Sequence, residues 1–141
     1  MSEEHTIDTG KGSFSLDELG PLLPGVSELM PKIGARMWRC FYAGMARNKP
    51  LARFELKEAV NLLQKCAFLE PRYADQMENF LEEELTWVSE IIEDEEWDRF
   101  EEAFRRMVNR ANVYHHLFER PFLWWKIPDE PPPDLDVTPR A

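Results

Sequence analysis

Prolines partition this chain more firmly than any other feature. Pro31, Pro50, Pro71 and Pro121 stand at the edges of long stretches that contain no other proline. Proline has no amide proton and clashes with the preceding turn, so a helix accepts it only in its first turn or beyond its end. The residue before proline is also pushed out of the α region. A helix in the stretch after each of these prolines can then begin near that proline, and must end before the next one.

The apolar spacing agrees with that partition. Leu29, Ile33, Met37, Phe41 and Met45 recur every four residues, with Trp38 widening the stripe, and predict a first long helix from Ser27–Pro31 to about Arg47. Asn48-Lys49-Pro50 breaks it. The second helix, about Leu51–Leu69, presents Leu56, Ala59, Val60, Leu63, Cys66 and Ala67. The third starts at Pro71 and presents Tyr73, Met77, Phe80, Leu81, Leu85, Val88 and Ile92. The stripe slips near Glu93–Glu96. One helix from Pro71 to Phe118 would be about 70 Å long, so a tight turn with Asp94 capping a fourth helix is expected. That helix presents Trp97, Phe100, Phe104, Met107, Val108, Ala111, Tyr114 or His115, and Phe118.

Short connections between successive helices make them antiparallel neighbours. The expected fold is all-α, an antiparallel up-down-up-down four-helix bundle over residues 27–120. Residues 1–26 are expected as a mobile arm and irregular lead-in. Within them Met1–Gly12 lacks periodicity, and Ser15-Leu16-Asp17-Glu18 forms a small capping box. Residues 121–141 hold six of the chain's 11 prolines and cannot form a helix. Yet Phe122, Leu123, Trp124, Trp125 and Ile127 are too apolar for a free tail, so an extended strap packed back on the bundle is expected.

The 141 residues suffice for one such domain. No apolar run reaches the roughly 20 residues of a membrane span, and the acidic start lacks the pattern of a secretory signal, so the expected location is cytoplasmic. The net charge of −10 is unevenly spread: Asp75–Glu102 holds 13 acidic residues against Arg99 alone, whereas Pro31–Arg72 holds nine basic residues against three acidic. A large acidic face repels phosphate, which argues against nucleic acid as a partner. Adjacent helices of opposite sign are expected to neutralise one another.

The usual chemical constellations are missing. A di-iron carboxylate bundle needs Glu-x-x-His, but the residues three before His115 and His116 are Asn112 and Val113. Glu82, Glu83, Glu84 and Glu93–Glu96 look like a solvated face. His115, His116 and Glu119 lack the further ligands that zinc requires. Cys40 and Cys66 carry no nucleophile signature, and antiparallel helices would set them roughly 13 Å apart along the axis, beyond disulfide reach. The aromatic residues, 12% of the chain, are expected mainly to fill the core. Trp87, Trp97, Tyr114 and Trp124 could instead wall an apolar ligand pocket between helices.

Two segments carry a family resemblance. Ala46-Arg47-Asn48-Lys49-Pro50-Leu51-Ala52-Arg53-Phe54-Glu55-Leu56-Lys57-Glu58 resembles the start of the second helix of small bacterial helical-bundle c-type cytochromes, similar to cytochrome c′. Phe100 to His115, then Pro121-Phe122-Leu123, Pro128 and Pro131–Pro139, resemble that family's last helix and tail. The resemblance spans roughly Met30 to Ala141. It implies a bundle whose last helix carries Cys-x-x-Cys-His, with haem held by the two thiols and the histidine. The matching residues here are Ala111, Asn112, Val113, Tyr114 and His115, so covalent haem is chemically impossible. Tyr114 is also far larger than a cysteine and takes volume that a haem would need. The resemblance leaves His115 as a candidate ligand for noncovalent haem, with Met37, Met77 or Met107 as conceivable second ligands.

The sequence therefore predicts a non-catalytic accessory protein or small subunit, a cytochrome-like scaffold expected to carry no cofactor. Its expected partner is another protein or a larger enzyme, met through Phe122, Trp124 and Trp125. The alternative is a protein that binds noncovalent haem or a small aromatic ligand in the core, beside Ala111, Tyr114 and His115.

Overall fold

A computed structural model of the chain describes residues 5–140, and they are mostly helical. In order they form β1 (Thr6–Asp8), β2 (Ser13–Ser15), α1 (Leu16–Leu19), a 3₁₀ turn (Gly20–Leu22), α2 (Val26–Met45) and α3 (Lys49–Leu69). A second 3₁₀ turn (Pro71–Tyr73) leads into α4 (Ala74–Phe80), a π-helical turn (Leu81–Leu85), α5 (Thr86–Glu93) and α6 (Trp97–Leu117).

The lead-in is more ordered than its composition suggests. Thr6–Asp8 pairs with Ser13–Ser15 as an antiparallel hairpin, Ile7 opposite Phe14. Asp8 and Thr9 close the turn with side-chain and backbone bonds to Gly10 and Gly12. Residues 5–12 are thus part of a hairpin rather than an unstructured arm; Met1–Glu4 lie outside the described residues. The Ser15–Glu18 capping box forms in full, with each side chain bonded to the other's backbone amide.

The core forms where the four-residue stripes meet. Leu29, Ile33, Met37 and Phe41 of α2 are buried, as are Leu56, Ala59, Leu63 and Cys66 of α3. α6 contributes Phe100, Phe104, Met107, Val108 and Ala111, and α5 contributes Val88, Ile91 and Ile92. α3 folds back on α2 after the turn at Ala46–Asn48, where the Asn48 side chain accepts from the Leu51 amide and Pro50 fills the first turn. α6 then packs against both α2 and α5. Met45, expected on the stripe, is exposed at the end of α2.

Three helices end in the same way, without glycine. After α2, α5 and α6 the residues Arg47, Glu95 and Glu119 adopt φ of 55°, 52° and 60°. At each end two amides reach back: Arg47 to Gly44 and Asn48 to Ala43, Glu95 to Ile92 and Glu96 to Ile91, Glu119 to His116 and Arg120 to His115. This is the Schellman pattern, in which the left-handed residue is usually glycine. Asp94, expected to cap the fourth helix, instead ends α5. α6 begins after Glu96 without a side-chain cap. Replacing exposed Glu95 with glycine relieves the Cβ clash of that conformation. Glu95→Gly is expected to raise stability by about 1 kcal/mol, read as a higher urea midpoint.

The π-helical turn inserts one residue into the third helical stretch. The Thr86 amide bonds to the Leu81 carbonyl five residues back, and the Thr86 hydroxyl donates to the same oxygen at 2.9 Å. The insertion rotates the chain and turns Glu84 inward, to 3% exposure. Glu84 is thus the exception in a glutamate run expected to be mostly solvated. The Arg106 guanidinium lies 3.7 Å from its Oε2, which has no hydrogen bond among the described residues. Glu55 is likewise buried on α3 and is paired with Arg36 at 3.2 Å.

Cys40 and Cys66 are both buried and unpaired. Burial pushes both thiols up, Cys66 to about 11 and Cys40 further, with nearby Glu70 and Glu55 adding to the effect. The thiolate is the reactive form, so native protein should resist alkylation at pH 8, with both thiols counted only after denaturation. Rapid labelling of either cysteine in native protein would contradict this burial.

Candidate functional site

The C-terminal segment builds the site. After α6 turns at Glu119, the chain leads back along α2 and is tied at successive points. His115 Nδ1 lies 3.0 Å from the Leu123 carbonyl. Asn112 makes a two-way bond to the backbone of Trp125: its Nδ2 donates to the carbonyl at 2.9 Å, and its Oδ1 accepts from the amide at 2.6 Å. Further along, the Tyr42 hydroxyl donates to the Pro128 carbonyl, Arg39 pairs with Asp134 at 2.8 Å, and Asn48 Nδ2 donates to the Val137 carbonyl at 3.1 Å.

This anchoring decides which aromatics face the helices. Trp125 is half-buried, edge-on to Trp38 with centroids 5.6 Å apart and edge-on to His115 at 5.1 Å. Its ring lies over Gly34, where a side chain would reduce the space. Phe122 and Trp124 face outward, 76% and 69% exposed. Of the three expected interaction residues, Phe122 and Trp124 are therefore available to a partner, whereas Trp125 serves the docking.

Ala111, Tyr114 and His115, the positions that the cytochrome resemblance singles out, lie together in the structure. They line a small, partly open cavity of about 40 Å³ with Met77, Phe80 and Trp125. The Tyr114 ring stands edge-on to Phe80 and stacks beside Phe118. Of the four aromatics considered as pocket walls, only Tyr114 lines this cavity. Trp97 packs on Phe100, Trp87 lies beneath the Arg106 guanidinium, and Trp124 is exposed.

His115 is set by its partners. A carbonyl only accepts, so Nδ1 carries the proton and Nε2 keeps its lone pair in the neutral ring. Burial lowers its affinity for a second proton below the ordinary 6.5, and the Leu123 carbonyl opposes that effect only in part. A neutral imidazole with Nδ1–H held by a carbonyl is the form in which histidine binds metals. The surroundings do not match a haem, however. A cavity of about 40 Å³ holds little more than one water, and Tyr114, Phe118 and Trp125 occupy the space beside the ring. Met77 lines this cavity, whereas Met37 and Met107 do not. Among the described residues, no three His, Cys, Asp or Glu side chains gather as metal ligands.

Asn112 is the residue that sequence reasoning passes over. It occupies an unassigned position within the Ala111–His115 run, and only its place on the buried face of α6 hints at a role. At 1% exposure it needs hydrogen-bond partners, and the backbone of Trp125 supplies them.

Opposite charges meet across α3 and α5 at one place. Arg53 makes a two-point pair with Glu93 at 2.6 and 2.7 Å, and Lys49 donates to the Glu93 carbonyl at 2.7 Å. The hydrogen bonds from Arg53 lower the Glu93 carboxyl, although the pair is exposed and adds little to stability.

Among the described residues, no helix is long and apolar enough to cross a membrane. Comparison of the chain with protein-family models, curated proteins and solved structures gives no match.

Proposed function

We propose that this protein is a non-catalytic accessory protein or small subunit that binds another protein. In this reading it is an up-down-up-down four-helix bundle with a C-terminal strap, and the strap presents the binding surface. The observation that carries the reading is the outward placement of Phe122 and Trp124 on a segment fixed by its own backbone. The bonds from His115 and Asn112 hold the carbonyl of Leu123 and both backbone groups of Trp125. Phe122 and Trp124 are therefore displayed on an anchored segment, with little ordering left to do on binding. Aromatic side chains held in that way are the common anchors of protein interfaces.

The acidic surface favours neither nucleic acid nor an anionic membrane as partner, and a cytoplasmic location suits the two buried thiols. The cytochrome-like scaffold remains part of the proposal, without covalent haem. Noncovalent haem in the core is the weaker alternative, because it would have to displace Tyr114 or Trp125.

Affinity purification of tagged protein from its native cells tests the reading. The double variant Phe122→Ala, Trp124→Ala should lose a stoichiometric partner that the parent chain retains. Its own stability should change by less than about 1 kcal/mol, since both rings are mostly exposed. Equal recovery of every co-purifying chain by parent and variant would refute the role of this surface.

A further inference from the structure

Beside the docked segment lies a second space, which adjoins the small cavity and shares Met30, His115, Phe118 and Trp125 with it. It is a groove of about 440 Å³ between the first turns of α2, the Pro71–Tyr73 turn and the residues that follow α6. Its size falls within the range of small-molecule sites and is more than tenfold that of the core cavity. Tyr73, Phe118 and Trp125 give it flat aromatic walls, and Tyr73 and Phe118 are themselves in contact, with centroids 4.4 Å apart.

The charges on this groove run against the charge of the whole chain. A protein of net charge −10 places two arginines, Arg72 and Arg120, and one carboxylate, Glu70, on its lining. The carboxylate is already engaged. Glu70 Oε2 accepts the Val26 amide at 3.2 Å, closing the N-terminus of α2, and Oε1 lies 3.8 Å from Arg72. Arg72 rests over the Tyr73 ring at 4.6 Å. The Arg120 guanidinium donates only to the neighbouring Glu119 carbonyl at 3.3 Å and meets no carboxylate within ion-pair distance among the described residues. Guanidinium groups beside flat aromatic walls are matched to a planar molecule ending in a carboxylate, because the planar fork bonds two oxygens at once.

We propose that this groove binds a small aromatic carboxylic acid, its ring between Trp125 on one side and the Tyr73–Phe118 pair on the other and its carboxylate toward Arg72 and Arg120. This site shares Phe122 with the partner surface, whereas Trp124 is not among its lining residues.

Calorimetric titration of the full chain with 2-naphthoate tests the assignment, with 2-naphthylmethylammonium as the cationic match. Naphthoate should bind with a dissociation constant of roughly 100 µM, as expected for a ligand of its size, and the cation should not bind. Arg120→Gln and Arg72→Gln should each weaken binding about tenfold, as loss of one charge-assisted bond does. Arg105→Gln, on an exposed face of α6 and paired with Glu101, should leave it unchanged. Trp124→Ala, which removes part of the partner surface, should also leave it unchanged, so failure of either reading is visible without the other. The proposal is overturned if naphthoate does not bind, if the cation binds as well, or if neither arginine matters. A peptide ending in phenylalanine that binds where naphthoate does not would overturn it in favour of a protein chain end.

Discussion

Gly44→Ala is expected to destabilise the protein by about 2 kcal/mol or more, although alanine is the better helix former. Gly44 lies near the end of α2, facing the Phe100 ring of α6. A Cβ added there would lie 2.2 Å from two ring carbons of Phe100 and 2.8 Å from a third. The ring has nowhere to go. Phe100 is buried, stacked beside Phe41 at 6.3 Å and bounded by Phe104 at 5.7 Å and Trp97 at 5.8 Å. The helices must separate or the aromatic cluster must rearrange, and overpacking of this kind costs more than the ~1 kcal/mol gained in helix propensity. Gly34 in the same helix makes the comparison. An added Cβ there would stand 3.5 Å from the Trp125 ring, an ordinary contact, so Gly34→Ala should be neutral or stabilising. Urea unfolding of both variants measures the difference. Gly44→Ala unfolding at the same urea concentration as the parent would show that α2 and α6 are not in close contact there.

The long helices were legible because their signals are local. Pro50 and Pro71 mark helix starts, and the stripes from Leu29 to Phe41 and from Phe100 to Ala111 bury as their spacing predicts, but Pro31, expected in a first turn, lies in the second turn of α2 because that helix begins earlier, at Val26. Turns that rely on unusual backbone were not legible. Arg47, Glu95 and Glu119 hold left-handed conformations that sequence signals assign to glycine or asparagine, so the cap at Asp94 was misplaced. The inward turn of Glu84 was hidden for a similar reason. A stripe of apolar residues gives no sign of the extra residue at Leu81–Leu85, and although Leu85, Val88 and Ile92 are buried as expected, Glu84 is buried beside them.

The site divides along the same line. Spacing places Ala111 and either Tyr114 or His115 on the buried stripe of one helix; the grouping of all three is what the cytochrome resemblance implies, and in the structure they line one small cavity. Which tryptophan docks did not follow from spacing. In Phe122-Leu123-Trp124-Trp125 every residue is apolar, so the alternation of an extended segment leaves two phases equally attractive. The choice is made by Asn112, whose carboxamide bonds the backbone of Trp125 and thereby turns that ring toward Gly34 and Trp38. A hydrogen bond between residues 13 apart, one of them in irregular chain, leaves no periodic trace.

Asn112→Ala should accordingly release the C-terminal segment while leaving the helices in place. The substitution removes two hydrogen bonds and strands both the amide and the carbonyl of Trp125 in a partly buried site, at a cost of about 3 kcal/mol. Trp125→Ala should cost a similar ~3 kcal/mol, by loss of its contacts with Trp38 and His115. In Asn112→Ala, helical circular dichroism should persist, and chymotrypsin should cut between Phe122 and Ile127 far faster than in the parent. Acid should act in the same direction through His115. The unfolded chain takes up a proton near the ordinary 6.5, whereas burial holds the folded imidazole below that value. Between the two pKa values the unfolded state binds more protons, so this contribution to stability is complete above 6.5 and erodes as pH falls beneath it. His115→Gln abolishes the titration and should flatten that part of the pH profile. The latch would be refuted by an Asn112→Ala protein that matches the parent in both urea midpoint and cleavage rate, since the segment would then be held by its prolines and aromatic contacts alone.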